Sequence, residues 1–247
     1  MNSRAMFQQD LMTLLSRLTA GESTETKKSL VTLKDWLVKL QRDNIVKINH
    51  SVMELVCAKY LILKGYEVQL EYPVNDVLTC DLFSTKGYGN LIVEIETGFI
   101  PPDHALDPLT YTQARLASKI IRYSSFAGKF ALGVPPHYIL AFPSALALPP
   151  RKRTSSEIEH IKKLCDLFYQ NPPVTEDEIR NARIHEIYVI NVDQTKVKEM
   201  DPEAYMKRAK TKGLMATFEE TETQTPEKTP QTLDNFIEND SPLKLPD

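Results

Sequence analysis

The sequence predicts an α/β chain whose central sheet is mixed, an antiparallel meander extended by a parallel strand, with helices flanking it. Three observations carry that expectation. Residues 77–98 hold two apolar runs around Lys86-Gly87-Tyr88-Gly89-Asn90, where Gly and Asn supply the backbone freedom of a hairpin turn. A helical pattern then leads into a second β-rich stretch, and a strand–helix–strand unit favours a right-handed crossover onto the same sheet. Apolar residues at helical spacing come before and after this block.

Taken in order, residues 4–18 place Met6, Leu11, Leu14, Leu15 and Leu18 on one side of a helix, which GESTE at 21–25 breaks. A second helix fits 26–42, with Leu30, Leu33, Leu37 and Leu40 apolar and Trp36 read as core packing. Residues 1–48 thus read as an N-terminal helical extension, either an arm or the surface of a homodimer. A third helix over 50–64, capped by Asn49 and stopped at Gly65, buries Val52, Leu55, Val56, Tyr60 and Leu63, with Glu54 close to that stripe. A strand at 66–73 precedes the hairpin. After FIPPDHALDP, Asp107-Pro108 is a helix start, and the helix runs to about 126 with Leu109, Ala117, Ile120 and Ile121 apolar. Arg115, Lys119 and Arg122 share a face of it, which is either a solvated stripe or turns Lys119 toward the acids of the hairpin.

Strands are expected at 130–134 and 138–142, on either side of Pro135-Pro136, closing an α/β core over 49–150. Arg151-Lys152-Arg153 comes next, either a hold on a phosphate backbone or a solvated loop. Residues 151–215 add further α/β elements packed on the core. These are a helix at 155–170 with a Thr154/Glu157 capping box, a helix at 176–183 opened by Thr175 and Glu178, a strand at 186–192 and a helix at 202–212. From 216 on, Thr, Glu, Pro, Gln and Asp dominate, the composition of a disordered acidic tail, with one apolar island at 231–237.

An apolar content of 42% supports a real core. Cys57, Cys80 and Cys165 lie far apart in apolar runs and read as buried thiols rather than a disulfide framework. No apolar run approaches the ~20 residues of a membrane span, and the N-terminus lacks a signal-peptide pattern. A soluble intracellular protein, cytoplasmic or nucleoid-associated and without a membrane partner, is expected. The net charge is −3, but residues 216–247 hold eight acids and two lysines. The remainder carries 28 basic and 25 acidic groups, a mildly basic balance that permits a nucleic-acid partner.

The chemistry sits in the hairpin. Asp81 lies in its first run, Glu94 and Glu96 in its second, and strand alternation points both glutamates to one face. Paired as a hairpin, the two runs bring Asp81 beside Glu94. Carboxylates converging on an apolar sheet repel one another and are retained when something positive neutralises them. A hard divalent cation, Mg²⁺ or Mn²⁺, is the natural partner. The plain alternative is a buried ion pair of Glu96 with Lys119 or Arg115.

The order over residues 50–143 is a helix with Glu54, a strand, a strand with Asp81, a turn, a strand with Glu94-Ile95-Glu96, a helix and a strand. This order resembles the PD-(D/E)XK nuclease superfamily. The resemblance implies a restriction endonuclease-like core and a metal-dependent DNA nuclease of repair, recombination or replication. Asp81 fits the family's first aspartate and Glu94 its second acidic position. Where the family carries its signature lysine, this chain has Glu96. Some members move that lysine to the following helix, which points to Lys119, with Arg115 as second choice. Glu54 matches the acid some members carry on the first core helix. The implied metal set is Asp81, Glu94, the Ile95 carbonyl and Glu96, with Lys119 steadying water or phosphate and Arg115, Arg122, Arg151, Lys152 and Arg153 on the nucleic acid. The altered lysine leaves a second class open, a nuclease-like protein that binds DNA without cutting it. The tail island resembles the sliding-clamp binding peptide, with Leu233, Phe236 and Ile237 as anchors, although Gln231 stands one residue nearer to Leu233 than in that motif.

Overall fold

Among the residues that this computed structural model describes, 3–211, six strands form one sheet in chain order. They are β1 (Glu67–Pro73), β2 (Thr79–Lys86), β3 (Gly89–Ile95), β4 (Lys129–Val134), β5 (Glu186–Asn191) and β6 (Lys196–Met200). β1, β2 and β3 are an antiparallel meander, β4 and β5 add in parallel, and β6 returns antiparallel to β5. The mixed α/β sheet expected from the sequence is therefore present. The tail from 216, with Leu233, Phe236 and Ile237, lies outside the described residues.

One sheet face is covered by α1 (Ser3–Thr19), α2 (Thr24–Arg42) and α3 (Ile48–Leu63). Leu11, Leu18, Leu30 and Leu37 from the first two helices are fully buried in one cluster with Leu55 of α3 and with Leu82 and Val93 of the sheet. Burying each such leucine stabilises the fold by roughly 1.5–3 kcal/mol. The first two helices are thus part of the core rather than an arm. Met6 is half exposed and Phe7 takes the buried place beside it. Trp36 keeps 38% of its surface in solvent, and its indole N–H donates to Leu70 O at 3.0 Å, which ties α2 to β1.

The other face is covered by α4 (Pro108–Tyr123), α5 (Ser155–Asp166), α6 (Glu176–Asn181) and α7 (Pro202–Thr211). Ile120, Ile158, Ile179 and Met206 meet Ile92, Phe130 and Leu132 there. The boundary expected near 150 therefore divides neither the sheet nor this core. Local chemistry sets several ends as the sequence predicts. Asp107 caps α4, and capping boxes at Thr154 and Thr175 open α5 and α6. The hairpin turn is Gly87-Tyr88, with Gly87 at φ +58.

Three expectations are corrected and one strand is added. Residues 138–142 are not a strand, because β3 and β5 already occupy the two ladders of β4. The segment leaves the sheet after Val134 and is held by Leu140 N–H donating to Tyr205 Oη at 3.1 Å. α3 starts earlier, behind Lys47, so Asn49 lies inside the helix and does not cap it. α5 ends at Asp166 rather than 170. β6 was not expected at all.

Candidate metal centre and carboxylate cluster

The ladder between β2 and β3 stops at the Leu82–Val93 pair. One residue further, that register sets Asp81 opposite Glu94, and there side chains take over from the main chain. Asp81 N–H donates to Glu94 Oε1 at 3.1 Å, and Ile95 N–H donates to Asp81 Oδ2. On the other side, the β1–β2 ladder pairs Leu70 with Leu82 and Tyr72 with Cys80, leaving Glu71 across from Asp81. Glu71 has φ +50, a left-handed conformation that costs a non-glycine residue about 1–2 kcal/mol. Three acids thus form one row across three adjacent strands.

α3 brings two more groups. His50 and Glu54 are one helical turn apart and share a face. His50, Glu54 and Asp81 each offer one ligand atom, and these atoms all lie within 4.8 Å of one another. Glu54 is fully buried, and among the described residues neither of its carboxylate oxygens has a hydrogen-bond partner. Thr97 Oγ1, just past β3, is 3.5 Å from His50 Nε2.

α4 supplies the positive charge. Lys119 Nζ is 3.0 Å from Glu94 Oε2 and 2.7 Å from Glu96 Oε1. Arg115 Nη2 donates to Glu96 Oε2 at 2.9 Å, and its Nη1 donates to Phe99 O at 2.5 Å. Two cations therefore meet five carboxylates, Glu54, Glu71, Asp81, Glu94 and Glu96. Both cations pair directly with Glu94 and Glu96; among the described residues neither forms an ion pair with Glu54, Glu71 or Asp81, although Lys119 still eases the charge of Glu71 and Asp81 from a distance.

The electrostatic consequences track the geometry. Burial, then the charges of Asp81, Glu71 and Glu94, push the Glu54 carboxyl well above the usual range. Burial and Asp81 raise Glu94 to about 8, although Lys119 pulls the other way. Burial and Asp81 raise Glu71 to about 7. Burial disfavours the charged Lys119, but Glu94 and Glu96 outweigh it, so the ammonium is held firmly. Without an added positive charge, this corner keeps protons that carboxyls in water would release.

The expected site residues Asp81, Glu94, Glu96, Lys119, Arg115 and Glu54 are brought together. Glu96 stands as an ion pair with two cations. Ile95 contributes its N–H to Asp81. Both oxygens of Glu94 are engaged, one by Asp81 N–H and one by Lys119. Arg122 donates to Pro172 O at 2.6 Å, and Arg151 and Lys152 are exposed. Arg153 is corrected: it is 6% exposed and donates to the carbonyls of Ala145 (2.8 Å), Leu146 (3.3 Å), Leu148 (3.1 Å) and Ile179 (2.7 Å). It ties the 145–148 turn to α6 and has no face for a phosphate. His50 and Glu71 escaped the sequence reading. The His50/Glu54 spacing and the place of Glu71 in the meander register were the signals.

A divalent ion fits the donor set. Two atoms on opposite sides of an ion with bonds of ~2.2 Å stand about 4.4 Å apart, so a small turn of the side chains brings His50, Glu54 and Asp81 into range. Oxygen donors suit Mg²⁺ and Mn²⁺, and the imidazole tilts the set toward a transition metal.

Comparison with protein-family models, curated proteins and solved structures returns no match to this chain. Among the described residues, no helix is long and apolar enough to cross a membrane.

Proposed function

We propose that this chain is a divalent-metal-dependent DNA nuclease of restriction endonuclease-like, PD-(D/E)XK type. The observation that carries the reading is Glu54, a wholly buried carboxylate with no partner, set beside Asp81 and His50. A buried unpaired acid is costly, and a cation in contact with it removes that cost. The element order, three antiparallel strands joined to a parallel one through α4, agrees with such a core.

In this reading His50, Glu54 and Asp81 would hold Mn²⁺ or Mg²⁺, with Glu94 bordering them. When bound, the ion would supply a water activated at neutral pH and neutralise charge on the phosphate. The chain's own residues do the rest. Lys119 reaches the site from α4, its charge secured by Glu94 and Glu96, and positions the scissile phosphate beside the ligands. Arg115 fixes Glu96, so that Lys119 keeps one orientation. Asp81 is itself fixed through Ile95 N–H.

Purified protein is expected to nick or degrade DNA with Mn²⁺ or Mg²⁺, on a panel of duplex, single-stranded and branched substrates. Asp81→Ala and Glu94→Ala should each abolish cutting. Cleavage that persists in both variants would remove the proposal. A second reading keeps the fold without the reaction: a DNA-binding or scaffold protein. It is favoured by Lys119, which both neighbouring acids already occupy. That reading requires salt-sensitive DNA binding and no cleavage with any divalent metal. A role in repair, recombination or replication, a homodimer and a clamp-binding tail belong to the same proposal.

A further inference from the structure

Beside the carboxylate cluster stands a group that the hydrolytic reading does not use. Phe99 lies four residues past the end of β3 and is 63% exposed. A phenyl ring left in water forgoes the gain of burial. Here the backbone holds it out. Gly98 has φ +82, and a Cβ there would come within 2.6 Å of the Tyr138 ring, so the chain turns at a point where only glycine fits. Phe99 O is then clamped by Arg115 Nη1, whose other nitrogen grips Glu96. Two prolines, Pro101 and Pro102, follow in the sequence and stiffen the loop.

The ring has a cation for company. Lys47 Nζ lies 5.7 Å from its centroid. Lys47 is the residue before α3, and His50 of the metal set lies in the first turn of that helix. Two routes therefore connect Phe99 to the metal set: along α3 through Lys47, and along the end of β3 through Glu96 and Thr97, whose hydroxyl faces His50. An exposed aromatic face with a lysine over it, fixed beside a phosphate-handling site, has the parts that unpaired nucleotides use: a surface for the base and a charge for the backbone. A base inside a continuous duplex is already stacked on both sides and cannot take that surface.

We infer that Phe99 is a stacking platform for an unpaired base next to the scissile phosphate, with Lys47 holding the neighbouring phosphate, so that the substrate is single-stranded or branched nucleic acid rather than uninterrupted duplex. This rests on the nuclease reading for its substrate class, but its test does not depend on cleavage. Binding of a labelled oligothymidylate and of a labelled blunt duplex to the full chain is measured by fluorescence anisotropy in EDTA. Stacking on one aromatic ring is worth about a tenfold change in affinity. Phe99→Ala should weaken oligothymidylate binding about tenfold and leave duplex binding unchanged. Phe99→Trp should restore it, and Lys47→Gln should reduce its salt dependence. A melting curve that matches wild type verifies that Phe99→Ala is folded, as its exposure leads one to expect. Equal binding of oligothymidylate by Phe99→Ala and wild type overturns the inference. So does a parallel loss of duplex affinity, or a Phe99→Leu variant as good as Phe99→Trp. A wild type that stacks oligothymidylate through Phe99 yet never cuts with Mn²⁺ upholds the platform for unpaired bases and defeats the nuclease reading. A wild type that cuts while Phe99→Ala binds normally does the reverse.

Discussion

Replacing Glu54 by methionine should make the metal-free protein more stable and blind to metal. Methionine keeps the unbranched shape and fills nearly the same space without a polar group. In the present fold both Glu54 oxygens are buried without partners. A buried unsatisfied polar group costs about 1–3 kcal/mol, so removing it should gain about 2 kcal/mol. For a chain of this size each kcal/mol moves the melting temperature by about 2–4 °C, so the metal-free variant should melt about 4–8 °C above wild type. Saturating Mn²⁺ at a hundred times its dissociation constant adds about 2.7 kcal/mol to the wild type, roughly 5–10 °C, and should add nothing to the variant. The order of the two melting curves therefore reverses, or nearly closes, when metal is added. Differential scanning fluorimetry in EDTA and in Mn²⁺ reads this directly. A variant that melts below wild type in EDTA would mean that the carboxylate supports the fold, and a variant that still responds to Mn²⁺ would place the ion elsewhere. Either result refutes the reasoning.

Two other outcomes come from the same geometry. Glu94 and Glu71, raised to about 8 and about 7, keep protons in the folded chain that the unfolded chain releases near 4.5. Their contribution to metal-free stability is greatest at acid pH and is lost as pH climbs from about 4.5 toward 8. The melting temperature in EDTA should therefore fall across that window, and Glu71→Gln should flatten the slope; an unchanged slope argues against it. Arg153→Lys should destabilise the chain by about 2–4 kcal/mol, because an ammonium cannot reproduce a planar fork shared among several carbonyls, and should leave DNA affinity untouched. Urea denaturation and anisotropy together check both halves.

How much of the fold and site was legible depended on range along the chain. The hairpin, the Asp107 cap and the two capping boxes were readable because each is settled by residues within a few positions of one another. Asp81 beside Glu94 was readable for the same reason, since a two-residue turn fixes the register of its own strands. The segment 138–142 is apolar because it is buried, and an apolar run does not say whether a ladder place is free beside it. β6, Lys-Val-Lys-Glu-Met, is an edge strand with most of its side chains in water, so it carries no apolar alternation to detect. Arg153 sits in a basic run that looks solvated, and its burial depends on carbonyls of the 145–148 turn and, farther along the chain, of α6. Glu71 needed the β1–β2 register, and although the i, i+4 spacing of His50 and Glu54 is local, their meeting with Asp81 needed the seating of α3 on the sheet.

That difference in range also separates the roles of the two buried glutamates. Glu94, the acid that the sequence makes prominent, has both oxygens occupied, one by Asp81 N–H and one by Lys119. Glu54, which looks like an ordinary helical residue in the sequence, has both oxygens free and shares a ligand-sized space with His50 and Asp81. A cation entering the site displaces only a proton from Glu54, which has no partner contact to break, whereas binding through Glu94 would first break a contact to Lys119. Glu54 should therefore govern metal affinity, and Glu94 should govern how Lys119 is presented to the phosphate. Glu94→Gln should then keep most of the Mn²⁺-induced rise in melting temperature while losing cleavage. Glu54→Gln should lose both. If Glu94→Gln removes the metal response as completely as Glu54→Gln does, the ion sits between Asp81 and Glu94 after all, and Lys119 must leave Glu94 to admit it.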